Sequence, residues 1–305
     1  MDNICCACKR TFPSLKGLHL HVVRKEKIGL DDYYKIYFPR QDYLTNEPID
    51  FKNHEQYFSS YFNSKENMAL WFQSNWSLGK AKDLAQTIIQ NRVELKGLKN
   101  APSQLELRTV NCPSVTFCQK MFNYNEFCQK LELKTRFKYG IVDTNPYQEI
   151  KVLIDTREQY PLEFKNSQVK KLDVGDYTAA EPHYADIYVE RKSVQDFYGT
   201  FFNPTNLERF EKEISRAKSY GFYLVVVVEN NLNNCLAYKS SFIREKHFVV
   251  LTFHNVRNLM QKYDNLQFAF SHSRLTAAQL TTRIFNQKEK ARDFDWQYLI
   301  DSKQI

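Results

Sequence analysis

The sequence predicts an α/β domain over residues 150–293, in which a mixed sheet is flanked by helices. The first observation is that short apolar runs typical of strands alternate there with longer segments of helical spacing. The second is the turn-rich segment GIVDTNPYQ, residues 140–148, which separates this part from a preceding helical stretch. The third is a hydrophobic content of 43% in a 305-residue chain, which is sufficient for a sizeable core.

The strands predicted in this domain are KVLIDT, VKKLDV, ADIYVERK, FYLVVVVE and LQFAFS. The predicted helices are SVQDFYGTFF, NLERFEKEISRAKSY, residues 242–263, and RLTAAQLTTRIFNQKEKA. Strands that alternate with helices imply a sheet with helices packed on its faces. Residues 294–305 are then a tail.

The part before this domain is predicted to contain three units. Residues 1–40 form a small cysteine-led module, and residues 41–77 form a connector that offers turns but no clear periodicity. Residues 78–140 form a helical domain, which is a candidate for DNA binding. Its first helix ends at Gly97, and two shorter helices follow in APSQLELRTV and YNEFCQKLEL.

The composition narrows the compartment and the partners. The chain carries 43 Lys and Arg against 35 Asp and Glu, and its net charge of +8 is compatible with a phosphate-backbone partner. Three of its seven cysteines lie within the first eight residues, which favours metal binding over a secreted disulfide framework. We find no apolar run of about 18 residues and no signal segment, and we expect a cytoplasmic protein without membrane association.

Three charged residues stand in a row at the end of a predicted buried strand: Glu190, Arg191 and Lys192. Because residues two apart share a face of a strand, Glu190 and Lys192 meet the same neighbours, while Arg191 points the other way. The glycine turn VGDY places Asp176 at the end of the preceding strand, and antiparallel pairing would bring its carboxylate beside Glu190. We therefore expect two carboxylates and an ammonium group to converge.

The expected cluster has a specific chemistry. Two carboxylates held close together repel each other unless a cation lies between them, and an oxygen-only pair favours a hard divalent ion such as Mg²⁺. A water on that ion can become a nucleophile, and the charge of Lys192 can hold this water or offset charge that grows on a phosphate. Taken alone, however, the charged triplet fits an exposed strand end with surface ion pairs better.

The pattern around the triplet favours the catalytic interpretation. The GD pair, the ERK triplet and Asp196 resemble the signature of the XPF-type structure-specific endonuclease family, which is GD, a spacer, ERK, three residues and D. The family's upstream aspartate and its RE pair are matched by Asp155, Arg157 and Glu158. The resemblance extends from residue 150 to about residue 290, and it is specific because several separated elements agree in their order.

This resemblance implies a restriction-endonuclease-like PD-(D/E)xK core that cuts DNA with Mg²⁺ or Mn²⁺. It implies that the metal ligands are Asp176 and Glu190. It also implies that Lys192 is the catalytic lysine and that Asp155 assists the metal. Three further residues would position the site or the scissile phosphate, Arg191, Glu158 and Asp196. Family enzymes often form dimers through this domain, so a homodimer is expected.

Contacts to the DNA backbone are expected from three arginines, Arg157, Arg209 and Arg216. The last two lie seven residues apart and hence on one face of a helix, although a solvated helix face explains them as well. Nuclease members of the eukaryotic branch carry tandem helix-hairpin-helix units after this domain, and no glycine-bearing hairpin of that type follows here. DNA recognition is therefore expected from the N-terminal half of the chain.

The opening CCACKRTFPSLKGLHLH resembles a classical zinc finger up to residue 21. Three ligand positions and two core positions of that family are occupied, by Cys5, Cys8, His21, Phe12 and Leu18. The second histidine of the family is missing. Within the window where it would stand, Glu26 is the residue that can ligate Zn²⁺ through oxygen. The alternatives are His19, Cys6, or a finger that folds without metal.

The leading hypothesis is a metal-dependent DNA endonuclease that recognises a branch, flap or junction, encoded by a bacteriophage or a mobile element and acting in the bacterial host cytoplasm. A sequence-specific nicking or homing-type enzyme is one alternative. A DNA-binding scaffold with a retired nuclease fold is another, but such a scaffold has no physical need to keep two mutually repelling carboxylates. An RNA-processing nuclease is the third.

Overall fold

The structure is a computed structural model that describes residues 3–39, 50–54, 57, 80–110, 112–141, 149–239 and 247–305. The predicted connector at 41–77 and the start of the predicted helix at 242 lie largely outside the described residues. The chain divides into two compact units. The first comprises Met1–Lys96 with Asn111–Pro113, and the second comprises Gly97–Val110 with Ser114–Ile305.

The first unit contains helices α1 (Leu15–His21), α2 (Leu30–Tyr37) and α3 (Lys80–Lys96), with a π-helical turn at Val22–Glu26 directly after α1. A turn precedes α1, in which Cys5 N–H donates to the Arg10 carbonyl oxygen at 2.9 Å. Ser14 then caps α1 by accepting a hydrogen bond from Gly17 N–H. A small core packs behind these elements and consists of Cys5, Leu18, Val22, Tyr33, Tyr34 and Tyr57.

The second unit is built on a six-stranded sheet in the order β2-β1-β3-β4-β5-β6. Its strands are β1 (Val152–Ile154), β2 (Ser167–Val169), β3 (Tyr177–Ala179), β4 (Ile187–Lys192), β5 (Tyr223–Val228) and β6 (Leu266–Phe270). Strand β3 runs antiparallel to both β1 and β4, whereas β4, β5 and β6 run parallel, and β2 is parallel to β1. The predicted mixed sheet is confirmed.

Helices cover both faces of this sheet. The helices after β3 are α7 (Val194–Phe202), α8 (Pro204–Ser219), α9 (Leu232–Leu236), α10 (Phe248–Lys262), α11 (Arg274–Asn286) and α12 (Trp296–Asp301). Helices α7, α8 and α10 form the main core with alternate residues of β4, β5 and β6. Helix α12 packs on the other face, where Phe270 N–H donates to Gln297 Oε1 at 2.9 Å. All six residues of β5 are buried because helices lie on both sides of it.

Three short helices, α4 (Gln104–Arg108), α5 (Val115–Cys118) and α6 (Tyr124–Lys130), belong to this second unit. Gln104 N–H donates to Asp295 Oδ2 at 2.7 Å, and Asp295 also caps α12. A separate helical domain at 78–140 is therefore not confirmed. Residues 294–305, predicted as a tail, instead fold onto the sheet through the fully buried Trp296.

The segment before β3 differs from the sequence prediction. VKKLDV was predicted as a strand, but β2 ends at Val169, and residues 170–176 are irregular. The reason is that the Asp155 carboxylate accepts a hydrogen bond from Leu172 N–H at 2.6 Å, so a side chain replaces a ladder bond there. The short strand β3 was not predicted. Among the described residues, no helix is both long and apolar enough to cross a membrane.

Candidate functional site

The antiparallel pairing of β3 with β4 places Asp176 beside Glu190. Asp176 N–H donates to the Val189 carbonyl oxygen at 2.9 Å, and Arg191 N–H donates to Asp176 Oδ2 at 2.8 Å. Asp176 directly precedes β3, which corrects the expectation that it ends the preceding strand. Gly175 makes this turn with a φ of +64°, and a Cβ atom on it would lie 3.1 Å from the Val189 carbonyl oxygen.

Glu190 and Lys192 share one face of β4, as their spacing predicts. Lys192 Nζ lies 2.6 Å from Glu190 Oε1, and both side chains are largely buried. The ammonium group also lies 5.3 Å from the centre of the Phe210 ring on α8. The lysine is therefore held in place between the carboxylate and an aromatic face.

The surroundings of this cluster disfavour the ionised form of its two carboxyl groups. Burial, followed by the charge of Glu190, raises the pKa of Asp176 to about 8. Burial also raises the pKa of Glu190, although Lys192 opposes the shift. Burial lowers the pKa of Lys192, but the charge of Glu190 outweighs this effect and the net shift is upward. The two carboxylates therefore retain a proton at neutral pH, and a divalent cation could take the place of this proton. Their oxygen donors match Mg²⁺ or Mn²⁺.

Asp155 stands at the end of β1 next to this cluster. Its N–H donates to the Asp176 carbonyl oxygen at 2.8 Å. Its Oδ1 accepts from both the backbone N–H and Nε of Arg157, at 2.8 and 2.6 Å. Burial would raise the pKa of Asp155, but the hydrogen bonds from Arg157 and Leu172 outweigh it and lower the pKa. Asp155 is thus a charged residue that holds the loop after β1.

Arg191 lies on the opposite face of β4 from Glu190. Its guanidinium contacts Glu158 at 3.1 Å and Glu229, at the end of β5, at 3.4 Å. Arg274, the first residue of α11, also pairs with Glu229, at 2.7 Å. This network fixes the loop after β1 to the ends of β4 and β5. That Arg191 and Glu158 position the site or the scissile phosphate stays a prediction.

Asp196 lies in an open cleft of about 670 Å³, whose lining includes Arg191, Ser193 and Tyr160. Its carboxylate accepts a hydrogen bond from Ser193 Oγ at 2.6 Å, and Ser193 in turn caps α7. The structure therefore brings Asp196 near Arg191 and places it in the first turn of α7, where its carboxylate is hydrogen-bonded to the Ser193 cap.

The predicted DNA-contacting arginines lie at the surface of the second unit. Arg209 and Arg216 are both exposed on α8. The side chain of Arg157 is 62% exposed even though its Nε is hydrogen-bonded to Asp155. A guanidinium that is fixed at one end and exposed at the other is suited to contact a phosphate.

The residues of this neighbourhood that the sequence analysis missed include Glu213 and Arg274. Glu213 Oε1 accepts a long hydrogen bond of 3.4 Å from Gly175 N–H, and its charge contributes to the raised pKa of Glu190. The available signal was an acid on the apolar side of α8, three residues after Phe210 and next to Ile214. No comparable signal marks Arg274.

The first unit holds a second cluster, formed by Cys5, Cys8, His21 and Glu26. Their ligand atoms all lie within 4.8 Å of one another. His21 Nε2 is 3.1 Å from Cys8 Sγ and 2.9 Å from Glu26 Oε1. The π-helical turn brings Glu26 around to His21, five residues earlier. His19 instead contacts the Tyr34 hydroxyl at 2.8 Å.

The second unit is thus a mixed sheet flanked by helices that brings two carboxylates and a lysine together at the junction of β3 and β4. Residues 154–284 match the family model of the ERCC4 domain. No curated protein matches the sequence.

Two solved structures of XPF from Aeropyrum pernix align with the chain. The first has 18% sequence identity and a TM-score of 0.33, and the alignment covers 50% of this chain and 69% of the XPF chain. The second, a complex with DNA, has 17% sequence identity and a TM-score of 0.33, and the alignment covers 45% of this chain and 64% of the XPF chain.

Proposed function

We propose that the second unit is a metal-dependent endonuclease that hydrolyses phosphodiester bonds in branched, flap or junction DNA. The observation that carries the proposal is the convergence of Asp176, Glu190 and Lys192 on one face of β3 and β4, within an ERCC4 domain. Buried like charges cost free energy, and a binding site for a cation explains their presence.

Asp176 and Glu190 would hold Mg²⁺ or Mn²⁺, and this ion would supply an activated water and charge stabilisation for the phosphate. Lys192 stays protonated beside Glu190, so it offsets charge that grows on the phosphate. The backbone N–H of Arg191 orients the Asp176 carboxylate. Asp155 holds Arg157, whose exposed end would bind the DNA backbone together with Arg209 and Arg216.

Recognition of a DNA structure is favoured over recognition of a sequence because the family resemblance is to structure-specific enzymes. Cleavage of both strands would need two copies of the site, so a homodimer through the second unit is part of the proposal. We assign the protein to a bacteriophage or mobile element and its action to the host cytoplasm.

The cluster in the first unit is proposed to bind Zn²⁺. Two thiols, an imidazole and a carboxylate are all zinc ligands, and four of them suit a tetrahedral structural site. The core of this unit is small, and a bound metal would stabilise it. Glu26 would then replace the second histidine of a classical zinc finger.

The test is cleavage of labelled fork, flap, junction and linear duplex DNA by the full chain, with Mg²⁺, with Mn²⁺ and with EDTA. We expect metal-dependent cuts near the branch point and little cleavage of the linear duplex. Glu190→Gln should abolish the cuts, and Lys165→Gln, a change of an exposed residue, should leave them unchanged. Equal cleavage by Glu190→Gln and the native chain would reject the site, and equal cleavage of all substrates would reject structure specificity.

A further inference from the structure

The second unit contains a basic cleft of about 410 Å³ at the end of the sheet away from Lys192. Four of its lining residues are cationic, Lys134, Arg136, Lys218 and Arg292, and one is acidic, Asp264. Asp264 is already paired with Lys218, at 2.9 Å. The cleft therefore has a clear excess of positive charge.

Arg136 is a largely buried cation of the basic cleft. Its side chain is 6% exposed, and its Nη1 donates to the carbonyl oxygens of Met260 and Tyr263, at 2.7 and 3.3 Å, at the end of α10. Its Nη2 lies 3.7 Å from Glu106, and within the described residues neither Nη2 nor Nε has a hydrogen-bond partner. Buried guanidinium donors without partners are costly unless an anion or water satisfies them.

Arg292 repeats this pattern in the same cleft. Its Nη2 donates to the Gly221 carbonyl oxygen at 3.3 Å, its Nε has no hydrogen-bond partner among the described residues, and its guanidinium lies 6.0 Å from the centre of the Tyr223 ring. Carbonyl capping accounts for one nitrogen of each arginine. It leaves the Nε atoms of both arginines without a hydrogen-bond partner among the described residues.

We propose that the basic cleft binds a phosphate group of the DNA backbone. Guanidinium and ammonium groups that converge are the usual phosphate ligands, and a contact of this kind positions DNA without reading its sequence. This assignment of the source rests on the proposed function.

The position of the cleft suits this role. Phe222, which lines the cleft, is four residues from Val226, the β5 partner of Glu190. Four residues of a strand span about 13 Å. That distance is about four base pairs along a duplex. The separation of the two sites is therefore within the length of one DNA arm.

The test uses the full chain and the double variant Lys134→Gln with Lys218→Gln, because both lysines are exposed and the arginines are needed for packing. The matched control removes two exposed lysines elsewhere, Lys130→Gln with Lys165→Gln. Binding of fluorescent fork DNA is measured in EDTA across a NaCl series. The thermal unfolding midpoint is measured in phosphate and in chloride at equal ionic strength.

We expect the cleft variant to bind DNA about tenfold more weakly and its salt dependence to fall by about two released counterions, whereas the control changes much less. If DNA binding is unchanged but phosphate raises the midpoint of the native chain and not of the variant, the phosphate site stands and its source is a free phosphate. If both measurements match the control, the proposal is overturned. DNA binding and thermal unfolding are both measured without a divalent metal and do not depend on cleavage. A failure of the proposed nuclease activity would therefore be a separate result.

Discussion

Lys192 Nζ lies 2.6 Å from Glu190 Oε1, and the same ammonium group rests on the ring of Phe210. The lysine is thereby held close to Glu190 while it stays charged. In the proposed reaction its charge would offset the charge that grows on an incoming phosphate.

Lys192→Ala should lower the cleavage rate at saturating DNA by about two to three orders of magnitude, because a preorganised charge near the phosphate is lost. Single-turnover kinetics on fork DNA would measure this. The affinity for DNA in EDTA should change little, since Lys192 is largely buried. An unchanged rate would exclude Lys192 from the reaction.

Metal binding should depend on pH through the proton that Asp176 and Glu190 retain. Because burial and Glu190 raise the pKa of Asp176 to about 8, a divalent cation must displace this proton at lower pH. The apparent affinity for Mn²⁺ should therefore rise about tenfold per pH unit towards pH 8 and then level off. Calorimetric titration at several pH values would show it. Asp176→Asn should bind Mn²⁺ weakly, and a flat profile in the native chain would contradict the shift.

Gly175→Ala should destabilise the second unit by about 1–3 kcal/mol, since its positive φ disfavours a side chain. The added Cβ would also lie 3.1 Å from the Val189 carbonyl oxygen. The control is Gly199→Ala in α7, where nothing lies within 4 Å of the new atom. That change should be neutral or stabilising. Urea unfolding would compare the two, and equal stabilities would refute the strain argument.

The zinc proposal predicts one equivalent of Zn²⁺ in the purified chain, measured by mass spectrometry. Glu26→Ala should lower the zinc content and the thermal stability of the first unit, and Glu26→His should keep both, because histidine restores a strong ligand. The exposed Glu94→Ala serves as the control. A native chain that contains no zinc and gains no stability from it would reject the site.

Much of the sheet could be predicted from the sequence because β4, β5 and β6 are apolar runs with clear boundaries. The proximity of Asp176 and Glu190 could be predicted from antiparallel pairing with β4. The partner strand β3 was not predicted, because its three residues are too few to show a periodic pattern. The irregular segment before it depends on the Asp155 side chain, which local propensity does not show.

The missed residues depend on contacts between distant parts of the chain. Arg274 donates to the Tyr160 carbonyl oxygen across 114 residues, and Glu213 contacts Gly175 across 38 residues. Glu26 could be named as a candidate zinc ligand because it is the one residue in the expected window with a suitable donor atom. The structure places it 2.9 Å from His21 Nε2, and its role as a ligand stays a prediction. The π-helical turn that brings the two side chains together was not predicted.

The most direct test of the central claim is anomalous diffraction from crystals of the full chain soaked in Mn²⁺. We expect an anomalous peak for one Mn²⁺ ion between the carboxylates of Asp176 and Glu190. Full occupancy elsewhere with no peak between these two carboxylates, in protein that cleaves DNA at the same Mn²⁺ concentration, would contradict it.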